Sequence, residues 1–405
     1  MNNSPLEFLA QRFDNVVKYD ADGNPSIYVR FPKMKSVDLD SSLPDHWHPT
    51  FKINDDVKDS VLFAKYKASE IKLGDNGNLY SIPNVAPRVN LGADQLLARM
   101  RAAHVGCSGM TVADYGFLLL LAQKMGWNTQ KGNNSYGVDY QDATIWATGQ
   151  SISIGDKRAF RGWEYTAQKA HTTSNELAPH VAPVYWKKGK QVGAIMRADQ
   201  FVADNQYRGY NHLNGTGPLS WFLGGDPSMP CDLVGSCFEA NYGYRLVNCE
   251  LQILPDNNAA DPTADLSASS TAWKAILPNP SDDGYTLVAP GTEGTLHWTW
   301  ANSKITLDTV EPTFDNESRG TYFKDLAVNS NNLPYIPSIV RELGLYPTPG
   351  STMAGYYYIQ FTRDERFPRR GSSYYNSSFR GLGCVYSSGA RGNSYVTYGA
   401  RPRSL

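Results

Sequence analysis

Residues 367–405 read FPRRGSSYYNSSFRGLGCVYSSGARGNSYVTYGARPRSL. Ser, Gly, Arg and Tyr make up 25 of these 39 residues, and the six arginines are accompanied by no acidic residue and no lysine. Tyrosine supplies a rigid amphipathic surface, serine and glycine adapt to a partner, and arginine supplies planar donors. This stretch, the C-terminal segment, therefore has the composition of a binding surface. A glycine-rich meander packed on the core is the alternative interpretation.

The C-terminal segment also lacks five residue types that the rest of the chain uses: Lys, Glu, Gln, Met and Trp. At the chain's own frequencies, about five or six such residues would be expected in a stretch of this length. These five types cannot be reached from an asparagine codon ending in a pyrimidine when its first two bases are randomised. Tyr, Ser, Gly, Arg, Phe, Cys, Val and Thr can all be reached. The absence favours a segment whose codons have been diversified.

The rest of the chain has the properties of a globular protein. Its 405 residues allow one large domain or two to three ordinary ones. The formal net charge of −1 excludes a global attraction to nucleic acid or to a membrane. Residues 1–7 lack the basic start and apolar run of a secretion signal, and no apolar run is long enough to span a bilayer. We expect a chain made in a cytoplasm, with reduced and buried cysteines.

Hydrophobic spacing and turn residues predict an α+β protein with helices early and strands late. Thr111 with Asp114 three residues on resembles a capping box, and Gly126 ends that helix. Residues 256–272 are polar and are predicted to form a surface loop. The predicted helices cover residues 93–104, 111–126 and 337–344; the predicted strands cover 26–31, 61–66, 79–82 and 356–361, with hairpins over 242–254, turning at Asn248, and over 296–307, turning at Asn302-Ser303.

A series of short motifs follows the predicted helix pair in a fixed order. They are Gly132-Asn133-Asn134-Ser135-Tyr136-Gly137, Gly162-Trp163-Glu164-Tyr165, Asn214-Gly215-Thr216-Gly217-Pro218-Leu219-Ser220-Trp221, Asp232-Leu233-Val234-Gly235, Tyr244-Arg245-Leu246-Val247, Arg369-Arg370-Gly371 and Tyr398-Gly399-Ala400-Arg401-Pro402-Arg403. In this order they resemble the motifs of the variable proteins of diversity-generating retroelements. The similarity is strongest to phage or prophage tail proteins related to the major tropism determinant.

This resemblance implies a C-type lectin fold with formylglycine-generating-enzyme-like topology: an α+β structure of two helices, short antiparallel sheets and long loops. Residues 1–55 would then be a strand-rich segment for attachment or oligomerisation. Residues 56–405 would be the lectin-like domain, with an insertion at about 256–335 and a variable region at 367–405. One departure is Ser236-Cys237-Phe238-Glu239-Ala240, where the family has Asn-Val-Trp-Glu-Trp.

The resemblance also implies a function. It indicates a ligand- or receptor-binding protein of a phage or prophage tail, with a hypervariable C-terminal surface diversified by a retroelement. The chain would be made in the cytoplasm of a bacterial host and carried on the virion tail. Its partner would be a bacterial surface receptor, protein or glycan, and related tail proteins imply a homo-oligomer, a trimer. A ligand binder displayed on the bacterial cell surface and encoded by a cellular retroelement is an alternative.

The side chains expected to contact a ligand are the large or polar ones that lie between small framework residues. Gly389 and Gly392 are included as varying positions that happen to be glycine, with turn glycines as the alternative. Arg401 belongs to the framework, where Arg401 and Arg403 could pair with buried acids. The candidate contact residues are Ser373, Tyr374, Tyr375, Asn376, Phe379, Arg380, Tyr386, Gly389, Arg391, Gly392, Asn393 and Tyr395.

Two enzyme chemistries occur on the related fold and remain alternatives. Formylglycine generation needs a reactive cysteine pair that binds copper, and non-haem iron sulfoxide synthases need a histidine-rich ligand set. The five cysteines and seven histidines are scattered without such motifs. His46-Trp47-His48 could place two imidazoles on one strand face, but the flanking Pro44 and Pro49 favour a loop. We expect no catalytic residue, no metal ligand and no cofactor.

Overall fold

The computed structural model describes residues 13–71, 77–142, 144–196, 211–280 and 284–405. Residues 1–12 of the N-terminal segment lie outside these ranges. Within them the protein is a mixed α/β structure with few helices and many short strands in small sheets. None of these helices combines the length and the apolar composition needed to cross a bilayer. The described α-helices are α1 (Ser36–Leu39), α2 (Ala93–Arg101), α3 (Val112–Lys124) and α4 (Ser338–Glu342).

The described strands are short, and irregular connections join most of them. The longest has eight residues and several have only two. In chain order they are β1 (Asn15–Tyr19), β2 (Pro25–Pro32), β3 (Lys52–Ile53), β4 (Asp56–Val57), β5 (Ser60–Ala64), β6 (Ala68–Ser69), β7 (Tyr80–Ser81), β8 (Cys107–Gly109), β9 (Ser151–Ile152), β10 (Lys157–Phe160), β11 (Trp163–Ala167), β12 (His171–Thr172), β13 (Trp186–Gln191), β14 (Phe238–Ala240), β15 (Tyr244–Val247), β16 (Glu250–Ile253), β17 (Lys274–Pro278), β18 (Tyr285–Val288), β19 (His297–Ala301), β20 (Lys304–Asp308), β21 (Ser318–Tyr322), β22 (Ala327–Val328), β23 (Tyr356–Gln360), β24 (Arg369–Arg370), β25 (Val385–Ser387), β26 (Tyr398–Gly399) and β27 (Pro402–Ser404).

The three predicted helices are confirmed as α2, α3 and α4. At the start of α3, Thr111 Oγ1 accepts the backbone N–H of Asp114 at 3.2 Å, and the Asp114 carboxylate accepts the backbone N–H of Thr111 at 2.9 Å. This is the predicted capping box. Helix α3 is buried on nearly every side because it runs through the main core, which explains its apolar composition.

Both predicted hairpins are also confirmed, as β15–β16 and β19–β20. Asn248 and Cys249 have φ angles of 53° and 58°, and Asn302 and Ser303 have φ angles of 51° and 60°. Positive φ at both central residues is the geometry of a type I′ turn, whose twist matches the twist of the flanking strands. Asparagine tolerates the left-handed region better than most residues, so it marks both turns in the sequence.

A five-stranded sheet joins the two ends of the described chain. Its strand order is β1-β2-β5-β27-β8, so the last strand lies between β5 and β8. In that strand Arg403 pairs with Phe63 on one side and with Ser108 on the other. Lys18 of β1 donates from its Nζ to Ser404 Oγ at 2.8 Å. The far end of the C-terminal segment is therefore fixed in the interior of a sheet.

A six-stranded sheet of order β21-β23-β25-β24-β14-β26 contains three short strands of the C-terminal segment. Strands β24, β25 and β26 belong to that segment, whereas β14, β21 and β23 come from elsewhere in the chain. A seven-stranded sheet has the order β18-β17-β16-β19-β20-β22, with β15 paired to β16. Residues 256–335 thus supply strands to both larger sheets. The smaller sheets are β10-β11-β13, β9-β12, β3-β4 and β6-β7.

The main hydrophobic core surrounds α3. The ring of Phe117 lies 5.6 Å from Phe31, 5.3 Å from Phe51 and 6.0 Å from Phe63, measured between ring centroids. Gly116, the preceding residue, faces α4 so closely that an added Cβ would lie 2.0 Å from the carbonyl oxygen of Glu342. The contact between α3 and α4 therefore requires glycine at position 116.

We predict that Gly116→Ala destabilises the protein, although alanine normally favours a helix. The new methyl group forces α3 and α4 apart, and overpacking of this kind costs about 1–3 kcal/mol. Ala98→Gly on the exposed face of α2 is the matched control and should cost about 1 kcal/mol from helix propensity alone. Urea denaturation measures both free energies of unfolding. A Gly116→Ala variant as stable as the wild type would contradict the close contact.

Candidate functional site

A cleft of about 520 Å³ opens between the C-terminal segment and the six-stranded sheet. All but three of its lining residues belong to the C-terminal segment; the three are Phe238, Tyr356 and Tyr358. Aromatic rings dominate the surface. The aromatic lining residues are Phe238, Tyr356, Tyr358, Tyr375, Phe379, Tyr386, Tyr395 and Tyr398.

The floor of the cleft is built by strand alternation. In β23, Tyr357 and Ile359 are fully buried in the core, so Tyr356 and Tyr358 lie on the opposite face. Strands β23 and β25 are parallel and place Tyr358 opposite Tyr386, with ring centroids 5.7 Å apart and planes inclined by 20°. Phe238 of β14 continues the row at 5.2 Å from Tyr386. The sheet thus sets the spacing of the floor rings.

The rim of the cleft consists of rings that are about half exposed. Phe379 lies 4.5 Å from Tyr356 and 6.0 Å from Tyr322 of β21, measured between ring centroids. Tyr395 lies 4.9 Å from Tyr398 in an edge-to-face arrangement. Tyr375, Phe379 and Tyr395 expose 49%, 42% and 53% of their surface. These three side chains are both supported by neighbouring rings and open to a partner.

Residues 372–384 are held to the scaffold by polar contacts. The Arg380 guanidinium pairs with Asp139 at 3.3 Å and donates to Gln141 Oε1 at 2.8 Å. Asn376 Oδ1 accepts both the backbone N–H and the hydroxyl of Ser373 at 2.6 Å. The backbone N–H of Tyr374 donates to Ser236 O at 2.9 Å. This loop is therefore ordered by bonds to groups outside it and by the bond between Ser373 and Asn376 within it.

The loop over residues 388–395 is fixed in a similar way. The Arg391 guanidinium donates hydrogen bonds to both carboxylate oxygens of Glu365, at 3.1 and 2.7 Å, and also pairs with Asp94 at 3.1 Å. Arg369 lies 3.8 Å from the ring centroid of Tyr398 and donates to the carbonyl oxygen of Ala390 at 3.2 Å. Bidentate pairing and stacking of this type need the planar guanidinium group of arginine.

Two further arginines lie in the fully buried framework. Arg401 donates to both carboxylate oxygens of Glu239, at 3.0 and 2.9 Å, and Lys67 donates to the same carboxylate at 2.6 Å. Arg403 pairs with Asp114 at 3.0 Å. The predicted pairing of Arg401 and Arg403 with buried acids is confirmed. Burial alone raises the pKa of Glu239, but the two cations outweigh it and hold that pKa below its usual value.

The candidate contact residues divide into two groups in the structure. Seven of them line the cleft: Tyr375, Asn376, Phe379, Tyr386, Gly389, Asn393 and Tyr395. The structure does not bring the other five into the lining. Gly392 is exposed within the loop over residues 388–395, and Ser373 is buried and bonded to Asn376 of its own loop. Tyr374, Arg380 and Arg391 are buried and bonded to the scaffold.

Several lining residues were not among the sequence candidates. Tyr356 and Tyr358 had a readable signal, because β23 alternates between a core face and an opposite face. Tyr398 lies in a framework motif and Phe238 in the departure from the resembled motif, so the sequence indicates neither as a contact residue. Tyr322 supports the rim through Phe379 without lining the cleft, and no local pattern indicates it, since this contact depends on the pairing of β21 with β23. Composition indicates the C-terminal segment as the candidate site, but it does not indicate the residues of β14 and β23 that complete the floor of the cleft.

The cleft lining includes one cysteine, and the histidines of the His46-Trp47-His48 motif are not among the lining residues. Cys384 lines the cleft, but burial raises the pKa of its thiol to about 12, so it is protonated at neutral pH. The described cysteines are all free and buried. His46 and His48 flank Glu342 in a loop, at 2.6 Å from its carboxylate and 3.0 Å from its carbonyl oxygen. Across the described ranges, no three His, Cys, Asp or Glu side chains group in a way that could hold a metal.

No protein-family model matches this sequence, and no curated protein matches it. The protein is therefore characterised by its fold and by the geometry of its cleft. It is a mixed α/β protein with few helices, many short strands and an aromatic cleft formed mainly by its last 39 residues.

We predict that tyrosine is tolerated at position 392 and not at position 389. A Cβ on Gly392 meets no atom within 4 Å, whereas a Cβ on Gly389 lies 2.7 Å from the buried Arg369 guanidinium. Gly392→Tyr should change the free energy of unfolding by less than about 0.5 kcal/mol. Gly389→Tyr should lower it by about 1–3 kcal/mol. Thermal denaturation of the two variants is the measurement. Equal melting temperatures would contradict the difference in free space at positions 389 and 392.

We also predict an acid-sensitive contribution from His48. Burial is the largest influence and lowers its pKa to about 4, against the opposing effects of Glu342 and Asp114. Below pH 6.5 the His48 imidazole is protonated in the unfolded chain, whereas in the folded protein it stays neutral down to about pH 4. Stability from this group is therefore complete above pH 6.5 and falls by about 3 kcal/mol as the pH drops to 4. Denaturation of wild type and His48→Gln across this range should show a smaller pH slope for the variant; parallel curves would refute the prediction.

Proposed function

We propose that the protein is a ligand-binding protein whose C-terminal segment forms the binding surface. More specifically, we propose a receptor-binding protein of a phage or prophage tail, with a surface diversified by a retroelement. The observation that carries the proposal is the aromatic cleft, in which all but three lining residues belong to the C-terminal segment. Rigid aromatic side chains presented at a concave surface are typical of recognition sites.

Some residues of the C-terminal segment hold it in place and others face the cleft, and this division of roles favours the proposed function. Arg380, Arg391 and Arg401 hold the segment to buried or half-buried acids. Tyr375, Phe379 and Tyr395 extend from the same segment into the cleft and its rim. Because different residues provide folding and contact, the contact residues can change while the scaffold stays folded. A diversified binding surface requires this property.

The finer fold assignment belongs to the same proposal. We propose a C-type lectin fold with formylglycine-generating-enzyme-like topology. Two consecutive helices, small sheets with long connections, and the position of β27 in the same sheet as the β1–β2 hairpin, separated from it by β5, support it. The protonated Cys384 thiol in the cleft argues against an enzyme of the formylglycine-generating type. Stoichiometric copper or iron in the purified protein would favour that enzyme instead.

The proposal includes a homo-oligomer, a trimer, on a virion tail. Several copies held together raise the effective affinity of a weak single site. Light scattering of the purified protein measures the oligomeric state. The coding region should also neighbour a reverse-transcriptase gene and an adenine-rich template copy of the sequence for residues 367–405. The lack of such a copy would remove diversification from the proposal.

We predict that the triple variant Tyr375→Ala, Phe379→Ala, Tyr395→Ala loses binding to its target bacterium. Truncating an aromatic contact residue costs about 1 kcal/mol or more, so the loss of all three should lower binding at least about 100-fold. Flow cytometry of labelled protein on intact cells measures it.

The matched control removes two exposed aromatic side chains outside the cleft, Tyr19→Ala and Trp300→Ala. It should bind as the wild type does. The melting temperature of both variants should stay within a few degrees of the wild-type value. Loss of binding together with a collapse of the fold would show that the three cleft residues belong to the core, and full binding by the triple variant would remove the cleft from the function.

A further inference from the structure

We propose that the cleft binds an uncharged glycan of a cell surface. This inference rests on the proposed function and names the ligand class of the same site. The proposed ligand is a short stretch of neutral sugar residues, not an acidic polysaccharide or the surface of a protein.

The lining of the cleft is uncharged over the part of the chain that the structure describes. None of the described residues that line it is Asp, Glu, Lys, Arg or His. The nearby arginines already have partners inside the protein. Arg380 pairs with Asp139, and Arg391 pairs with Glu365. Arg369 is buried against Tyr398 and backbone carbonyls. A charged group that entered the cleft would lose its hydration without gaining a partner of opposite charge. The electrostatics thus favour a neutral ligand.

The same lining is rich in groups that suit sugar hydroxyls. Tyr356, Tyr358, Tyr386, Tyr395 and Tyr398 contribute phenol groups, and the cleft also contains serine, threonine and asparagine side chains. Burial raises the pKa of Tyr356 and Tyr398, so their hydroxyls keep the proton and can donate as well as accept. Ring carbons between the hydroxyls can contact the C–H groups of a sugar. A neutral glycan offers this alternation of hydroxyl and C–H surface.

The dimensions favour a short ligand over a protein surface. The cleft volume of about 520 Å³ lies inside the range of about 300–1,000 Å³ that is typical of small-ligand sites. A stable protein interface buries about 800 Å² on each partner and is usually flatter. The floor rings are also fixed in advance, since Tyr358 stacks at 5.7 Å on Tyr386 and Phe238 packs at 5.2 Å on Tyr386. Little rotamer entropy is lost when a ligand enters such a floor.

The test uses the full chain and intact bacteria. Fluorescent wild type and the triple cleft variant are screened against a panel of fixed cells, and strains bound by the wild type alone are kept. Those cells are then treated with periodate, which cleaves sugar diols, or with proteinase K. We expect periodate to reduce binding at least about tenfold and proteinase K to change it less than twofold. Raising NaCl from about 50 to 500 mM should change the apparent affinity less than about twofold, because no charge pair is involved.

A conservative variant refines the test. Tyr358→Phe removes one hydroxyl and leaves the ring, so it should lower affinity about three- to tenfold without changing the melting temperature. Tyr19→Phe on β1, outside the cleft, is the matched control and should bind as the wild type does.

The outcomes separate the ligand class from the function. Binding that depends on the cleft but is lost with proteinase K and survives periodate overturns the glycan and leaves the receptor-binding function standing. Binding that falls steeply with salt also overturns the uncharged ligand. If no strain distinguishes the wild type from the triple variant, the receptor-binding function itself fails and the ligand class fails with it.

Discussion

The buried carboxylate of Glu239 is the contact on which the arrangement of the chain end depends. It receives hydrogen bonds from Arg401, Lys67 and Tyr115, and all four side chains are inaccessible to solvent. Burying a charge is costly unless it is paired and hydrogen-bonded, so each of these groups requires the others. Glu239 lies on β14, next to Phe238 in the cleft, and Arg401 directly precedes β27. The cluster therefore couples the floor of the cleft to the anchoring of the final strand.

This coupling explains how a segment with so few apolar residues stays ordered. The C-terminal segment enters the six-stranded sheet as β24, returns as β25 and β26, and ends as β27 inside the five-stranded sheet. Between these strands, its loops are tied by Arg380 to Asp139 and by Arg391 to Glu365. Ladder bonds and ion pairs thus add to the burial of its few apolar residues, such as Leu382 and Val385, in the main core. Tyr375, Phe379 and Tyr395 are consequently available to form a surface.

Local features of the fold could be predicted from sequence, and long-range ones could not. The capping box at Thr111 and the turn at Asn302-Ser303 depend on residues within a few positions of each other. The cleft floor depends on the parallel pairing of β23 with β25, which no local pattern specifies. The role of Arg380 depends on Asp139, 241 positions away in the chain. Composition alone cannot distinguish an arginine that faces a ligand from one that is paired inside the protein.

That distinction changes the interpretation of the arginine-rich composition. All six arginines of the C-terminal segment are buried. Four of them pair with acids outside the segment, and two donate to backbone carbonyls instead; the four are Arg380, Arg391, Arg401 and Arg403, and the two are Arg369 and Arg370. Most of the excess positive charge in the segment is thereby balanced by acids elsewhere in the chain. The proposed recognition therefore relies on neutral rings and hydroxyls. Because a buried arginine that loses its partner is costly, the proposed diversification must leave these arginine positions constant. In the proposed function, the arginines of the segment serve folding and its exposed aromatic side chains serve binding.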